Sequence, residues 1–159
     1  MLFSNYKIIK ANLSDVYEFF SDTEKWEKAV PHCKSIDVME STESSGIIEE
    51  TIKMTVLAKG GQEEEFITKR WKAKDKVITN NQLTPPPTLF LHSGEWQFEK
   101  VDEGVKVTSV HLVFVNSSVF SMVQFKNSSF EDVEKMAKDS ITHNSEQILE
   151  ACEKIIAGR

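Results

Sequence analysis

Two aromatic-rich segments place an arginine, a threonine and a histidine where their side chains could act together. In EFITKRW (residues 65–71), Phe66, Thr68 and Arg70 fall on one side, because side chains alternate along a strand. In LFLHSGEWQF (residues 89–98), Phe90, His92, Gly94, Trp96 and Phe98 do the same. A strand face that mixes rings with a guanidinium, an imidazole and a hydroxyl is poor core material. It is what a small-molecule cavity needs. Arg70 is a permanent cation with a rigid fork of donors, suited to an oxygen on which negative charge develops. Thr68 could position a water or a carbonyl. His92 titrates near neutral pH and is the candidate for proton transfer. Each has a plainer reading: Arg70 as a surface arginine paired with nearby glutamates, Thr68 as a good strand former, His92 as a hydrogen-bonded wall residue.

The remaining polar candidates are weaker. His111 shares a face with Val107, Val113 and Val115 and reads as a hydrogen-bonded core histidine. His32 adjoins Cys33, but no third group orients the pair for thiol chemistry. Asn144 stands on an aliphatic helix stripe, where it either caps a buried strand group or bonds a ligand. Trp26, Trp96, Phe66 and Phe90 could stack against a flat ligand or simply fill a core. The four histidines and two cysteines show no metal-ligand spacing, and there is no glycine-rich phosphate loop.

The elements that must position these residues can be read in order. Residues 2–11 form a strand showing Phe3, Tyr6 and Ile8. Asn12 or Ser14 caps a short helix with Val16, Phe19 and Phe20 on its apolar face, and a second begins at Thr23 and stops before Pro31. Strands follow over 35–42, 47–58, 62–74, 76–83, 89–101 and 105–116. Turns are expected at 43–46, at Lys59-Gly60-Gly61, at Asp75 and at 102–104, and Pro85–Pro87 form a rigid loop. Residues 116–127 are a loop or a short helical segment. Ser128 and Glu131 make a capping box that opens a long helix, with a stripe at Val133, Met136, Ala137, Ile141, Ile148, Ala151, Cys152 and Ile155. This pattern predicts an α+β helix-grip fold. A curved antiparallel sheet of six to seven strands wraps a long C-terminal helix, two short helices follow strand 1, and a cavity lies between sheet and helix.

At 159 residues the chain is expected to be one domain over 1–159. Its formal net charge of −6 argues against non-specific nucleic-acid binding. Cys33 and Cys152 read as free thiols in a reducing compartment. With no signal pattern and no apolar run of membrane-spanning length, the expectation is a cytoplasmic protein without membrane attachment. Lys69, Lys72, Lys74 and Lys76 cluster and could meet an acidic protein.

Asp22–Cys33 (DTEKWEKAVPHC), FITKRW, PPPTLFLHSGEWQF and HNSEQIL (residues 143–149) together resemble polyketide aromatase/cyclases of the START-like (Bet v 1-like, SRPBCC) superfamily. The resemblance implies a cofactor-independent enzyme that needs no metal. Such an enzyme folds a poly-β-ketone borne by an acyl carrier protein, promotes an intramolecular aldol closure and dehydrates the ring. Partners would be the carrier protein and polyketide synthase components, and the protein a monomer or homodimer. The family arginine falls on Arg70, the strand hydroxyl on Thr68, the wall tryptophans on Trp26 and Trp96, and the helix asparagine on Asn144. Cys33 stands where members place a tyrosine, and Glu27 where they place a proline. With His92, Phe66 and Phe90 added from the reading of the residues, the expected catalytic set is Arg70, Thr68 and His92, and the expected substrate-binding set is Trp26, Cys33, Phe66, Phe90, Trp96 and Asn144. The rival reading is a non-catalytic START-like carrier of a lipid, quinone or aromatic metabolite.

Overall fold

A computed structural model describes residues 1–57 and 61–158. Strand β1 (Leu2–Ile9) leads into helices α1 (Leu13–Ser21) and α2 (Thr23–Ala29). Six strands follow: β2 (Cys33–Ser44), β3 (Ile47–Leu57), β4 (Glu63–Ala73), β5 (Val77–Gln82), β6 (Leu89–Val101) and β7 (Gly104–Val115). Two 3-10 turns (Ser117–Ser121 and Val123–Phe125) precede α3 (Phe130–Ala157). The strands form one antiparallel seven-stranded sheet in the order β1-β7-β6-β5-β4-β3-β2, leaving β1 and β2 as edges. The helix-grip architecture expected from the sequence is the one observed. The expected turn at Lys59-Gly60-Gly61 falls partly outside the described residues.

Local chemistry explains the element ends. Asn12 caps α1 by accepting from the Asp15 amide, and Asp22 both ends α1 and caps α2. The capping box of α3 lies one residue later than expected, at Ser129 and Asp132, each side chain accepting from the other's backbone amide. The β2–β3 turn has positive φ at Ser45 and Gly46, where the glycine meets no steric penalty. On strand β1 the residues named from the sequence divide between the two faces. Phe3, Asn5 and Ile9 point inward, while Tyr6 and Ile8 are exposed.

The core gathers where the short helices meet the sheet. Val16, Phe19 and Phe20 of α1 pack with Ile9, Ile78, Trp96, Phe98, Val105 and Val107, and with Ile148, Leu149 and Cys152 of α3. The C-terminal half of α3 is thereby fastened down. Ser145 donates to Asn5 Oδ1 at 2.9 Å, and Lys7 pairs with Glu153 at 2.9 Å. The N-terminal half stands off the sheet, with Met136, Ala137 and Ile141 facing a cavity. Among the described residues no helix is long and apolar enough to cross a membrane.

Candidate active site

Space between α3 and strands β3–β7 divides into two chambers that share Gln82, His92, Ile141 and Asn144. The inner chamber, about 160 Å³, lies against Trp26, Thr68, Arg70, Trp96, Ser109 and His111. The outer one, about 890 Å³, lies against Phe66, Leu89, Val133, Met136 and His32. Alternation positions the inner residues: Thr68 and Arg70 on β4, His92, Gly94 and Trp96 on β6, and Ser109 and His111 on β7 share the inward face.

Arg70 is 3% exposed and is not a surface ion-pair residue. One terminal nitrogen, Nη2, donates to the Phe20 carbonyl at 2.6 Å, and the other, Nη1, stands 3.2 Å from Glu50 Oε1. Its Nε has no hydrogen-bond partner among the described residues. Burial works against the charge and Glu50 works for it, and a guanidinium keeps its proton in such a contest. The aromatic wall beside it is continuous. Trp26 and Trp96 meet edge-on at 6.2 Å, Phe20 lies 4.6 Å from Trp96, and the Arg70 guanidinium carbon is 5.8 Å from the Trp26 ring centre.

His92 is joined to His111. Its Nε2 lies 3.1 Å from His111 Nδ1, its Nδ1 lies 3.1 Å from Gln82 Oε1, and His111 Nε2 lies 2.8 Å from Ser109 Oγ. With both rings neutral, protons can be assigned along this run in one direction from Ser109 to Gln82, or all reversed if the Gln82 amide is turned over. Burial pushes both imidazoles down to about 4, and for His111 the neighbouring His92 adds to the effect. His111 is thus hydrogen-bonded, as anticipated, but it faces the chamber rather than the core.

A pH dependence follows. The unfolded chain takes up these protons near 6.5, whereas the folded protein resists them until about 4. Unfolding free energy is therefore complete above 6.5 and falls as pH drops toward 4, by up to about 1.4 kcal/mol per pH unit for each histidine. Denaturant midpoints across that window should show the slope, and His92→Gln should flatten it. A profile in His92→Gln as steep as wild type would contradict this account.

Gly94 gives the pair its room. A β-carbon there would stand 2.8 Å from the Val110 carbonyl oxygen and 3.1 Å from His111 Nδ1. Gly94→Ala should therefore part β6 from β7, break the His92–His111 contact and cost about 1–3 kcal/mol. A thermal melt combined with histidine NMR titration would check both effects.

Of the residues expected from the sequence, Trp26, Thr68, Arg70, His92, Trp96 and Asn144 surround the inner chamber, and Phe66 lies on the outer one. Two do not join them. Phe90 is 75% exposed, because a bulge between Leu89 and Leu91 adds a residue to β6 and turns that ring outward, with Leu89 buried instead. Cys33 is packed in the core and lines neither chamber. Burial pushes its thiol up to about 11, and its neighbour His32 bonds Gln147 at 3.0 Å, so no thiolate pair forms. Among the described residues Asn144 caps no strand group; Ser145 ties the helix to β1, and Asn144 lines both chambers. Lys72, anticipated on the surface, is buried against Glu50 Oε2 at 2.9 Å.

Glu50, Gln82 and Ser109 were not anticipated. Glu50 had a readable signal, since it shares parity with Ile48, Ile52 and Met54 on β3.

Comparison with known proteins gives a consistent picture. Residues 9–141 match a family model described as polyketide cyclase/dehydrase and lipid transport. The granaticin polyketide synthase bifunctional cyclase/dehydratase of Streptomyces violaceoruber is 28% identical over 133 residues, covering 82% of this chain and 40% of that protein. The di-domain ARO/CYC BexL superposes with a TM-score of 0.90 at 24% identity, covering 100% of this chain and 50% of BexL. The Zhui aromatase/cyclase from a Streptomyces species superposes with a TM-score of 0.82 at 17% identity, covering 99% and 93%. The chain thus spans about half or less of the length of the granaticin protein and BexL.

Proposed function

Because the chain belongs to the polyketide cyclase/dehydrase and lipid transport family, we propose that it is a polyketide aromatase/cyclase. It would act by regiospecific aldol cyclisation and dehydration of a carrier-bound poly-β-ketone within the two chambers. The observation that carries this reading is Arg70: a buried cation beside a wall of tryptophans, with one N–H uncommitted.

Aldol closure removes a proton from the carbon between two carbonyls and places negative charge on a ketone oxygen. That enolate attacks a second carbonyl carbon, whose oxygen becomes an alkoxide and takes a proton. Dehydration then removes a second carbon-bound proton while the hydroxyl leaves as water. Arg70 would hold the oxygen that gains charge, and removing a donor of this kind from a dry site costs ~3–4 kcal/mol of barrier. A neutral imidazole would accept the carbon-bound proton in the first and last steps, and the imidazolium so formed would return a proton to the alkoxide or to the leaving hydroxyl. His92 is at the junction of the chambers, and its run to His111 and Ser109 gives an accepted proton somewhere to go. Thr68 and Asn144 would position carbonyls, while Trp26 and Trp96 limit how the chain folds. Polyketide synthase components, including the acyl carrier protein, are the partners this reading requires.

The test is reconstitution with a minimal polyketide synthase and product analysis. One aromatised product replacing a mixture of spontaneous ones supports the cyclase. An unchanged profile with folded protein and several chain lengths rejects it. The outer chamber, about 890 Å³ with an apolar share of its wall at Val56, Phe66, Leu89, Val133, Met136 and Ile141, favours a second reading as a carrier of an apolar or aromatic molecule. Stoichiometric ligand binding without conversion is its expected result.

A further inference from the structure

Behind Arg70 lies a charge arrangement that the cyclisation chemistry alone does not account for. Arg70 and Lys72 are successive inward residues of β4, and Glu50 on β3 is the direct cross-strand partner of Arg70. All three are buried. Yet the glutamate is not shared equally. Lys72 Nζ donates to Glu50 Oε2 at 2.9 Å and also reaches the Ser21 carbonyl at 3.3 Å. Glu50 Oε1, though 3.2 Å from Arg70 Nη1, accepts no aligned hydrogen bond, and Arg70 Nε has no partner among the described residues.

Among the described residues no acidic group other than Glu50 forms an ion pair with either cation. Tyr17 on α1 is a buried phenol whose pKa burial raises, so it is uncharged. Asp75, at the β4–β5 turn, is half-buried on the Tyr17 side, and among the described residues it forms no ion pair with Arg70 or Lys72. His92 and His111, across the chamber, are neutral. Two cations therefore share one carboxylate in a low-dielectric site, where such an imbalance is felt strongly.

We propose that Lys72 takes up much of the Glu50 charge and so leaves a net positive charge on Arg70 at the chamber wall, making the inner chamber select ligands that bind as oxyanions, enolates or phenolates, over their neutral forms. Lys72 and Glu50 are positioning residues here, acting through Arg70. The proposal rests on the reading of Arg70 as the group that meets the ligand oxygen.

The test needs no turnover. The phenol and phenolate forms of 7-hydroxycoumarin absorb differently, so a spectroscopic titration gives the probe's apparent pKa when bound. In the wild-type protein that value should lie below the free value by about one unit or more, a tenfold preference for the anion. Lys72→Met should remove most of the shift, because Glu50 then cancels Arg70. Glu50→Gln should keep or enlarge it. The double variant Lys72→Met with Glu50→Gln should restore it, whereas a merely structural cluster would lose the shift in both singles and again in the double. If Lys72→Met fails to fold, Glu50→Gln and the double variant still carry the test. A wild-type protein that binds phenol and phenolate equally, or binds neither, overturns the proposal, as does a folded Lys72→Met with the full shift. A protein that shows the shift but yields no cyclised product keeps the oxyanion site and loses the cyclase. One that cyclises without the shift does the reverse.

Discussion

Arg70→Ala should give a folded protein that no longer directs cyclisation, with regiospecific product down at least about 100-fold. The fold should survive because the carboxylate left behind is not orphaned: Glu50 keeps its 2.9 Å bond to Lys72. Removing one member of an isolated buried ion pair costs ~3–5 kcal/mol. Here the remaining cation absorbs part of that, and the Phe20 carbonyl at the end of α1 loses a donor. Product analysis in the reconstituted system, alongside a thermal melt, separates chemistry from stability. A wild-type product profile from a folded Arg70→Ala would eliminate Arg70 as the electrophilic anchor, and with it the observation on which the cyclase reading stands. Arg70→Lys is the useful companion. It keeps the charge but loses the planar fork that spans Phe20 and Glu50, so the activity retained measures the share of charge and the activity lost the share of geometry.

The largest effect on stability is expected from Phe20→Ala. The Phe20 ring is fully buried and lies among Phe19, Trp26, Trp96 and Phe98, with ring centres 5.2, 6.1, 4.6 and 5.5 Å away. Truncation leaves a void that surrounding rings cannot close without leaving their own contacts, at a cost of ~3–5 kcal/mol. For a chain of this size that corresponds to a fall in Tm of roughly 10 °C. The same void opens behind Trp26 and Trp96, so the wall of the inner chamber should loosen and the product spectrum broaden. Phe20→Leu, which refills most of the space, should recover most of both losses. A melt within two or three degrees of wild type, taken as about 1 kcal/mol, would show that the aromatic cluster is not the keystone this geometry implies.

Much of the cavity was legible in the linear chain because strand parity is a local property. Once 65–71 and 89–98 are strands, Thr68 and Arg70 must share a face, and so must His92 and Trp96. The same rule would have found Glu50 beside Ile52 and Lys72 beside Arg70. Both were passed over because charged residues on a strand are ordinarily assigned to solvent. Phe90 went the other way. Parity holds only while the ladder is regular, and the bulge between Leu89 and Leu91 resets it by one residue. Phe3 and Tyr6, on opposite faces of β1, could not be sorted from the sequence for a related reason. On an edge strand with weak alternation, nothing local says which face meets the core, and pairing with β7 decides it.

By itself, the sequence determined the order of elements, the one-sided stripe of α3 and the shared face of Thr68 and Arg70. All of these follow from interactions within a few residues along the chain. The tertiary structure alone decided that Glu50 bonds Lys72 more closely than Arg70, that His92 meets His111 over the bare face of Gly94, and that Cys33 sinks into the core. Those outcomes depend on which strands lie side by side, in which register and beneath which helix. Distances of a few tenths of an ångström across strands, and the desolvation that α1 and α3 impose on the groups below them, have no counterpart in spacing along the chain.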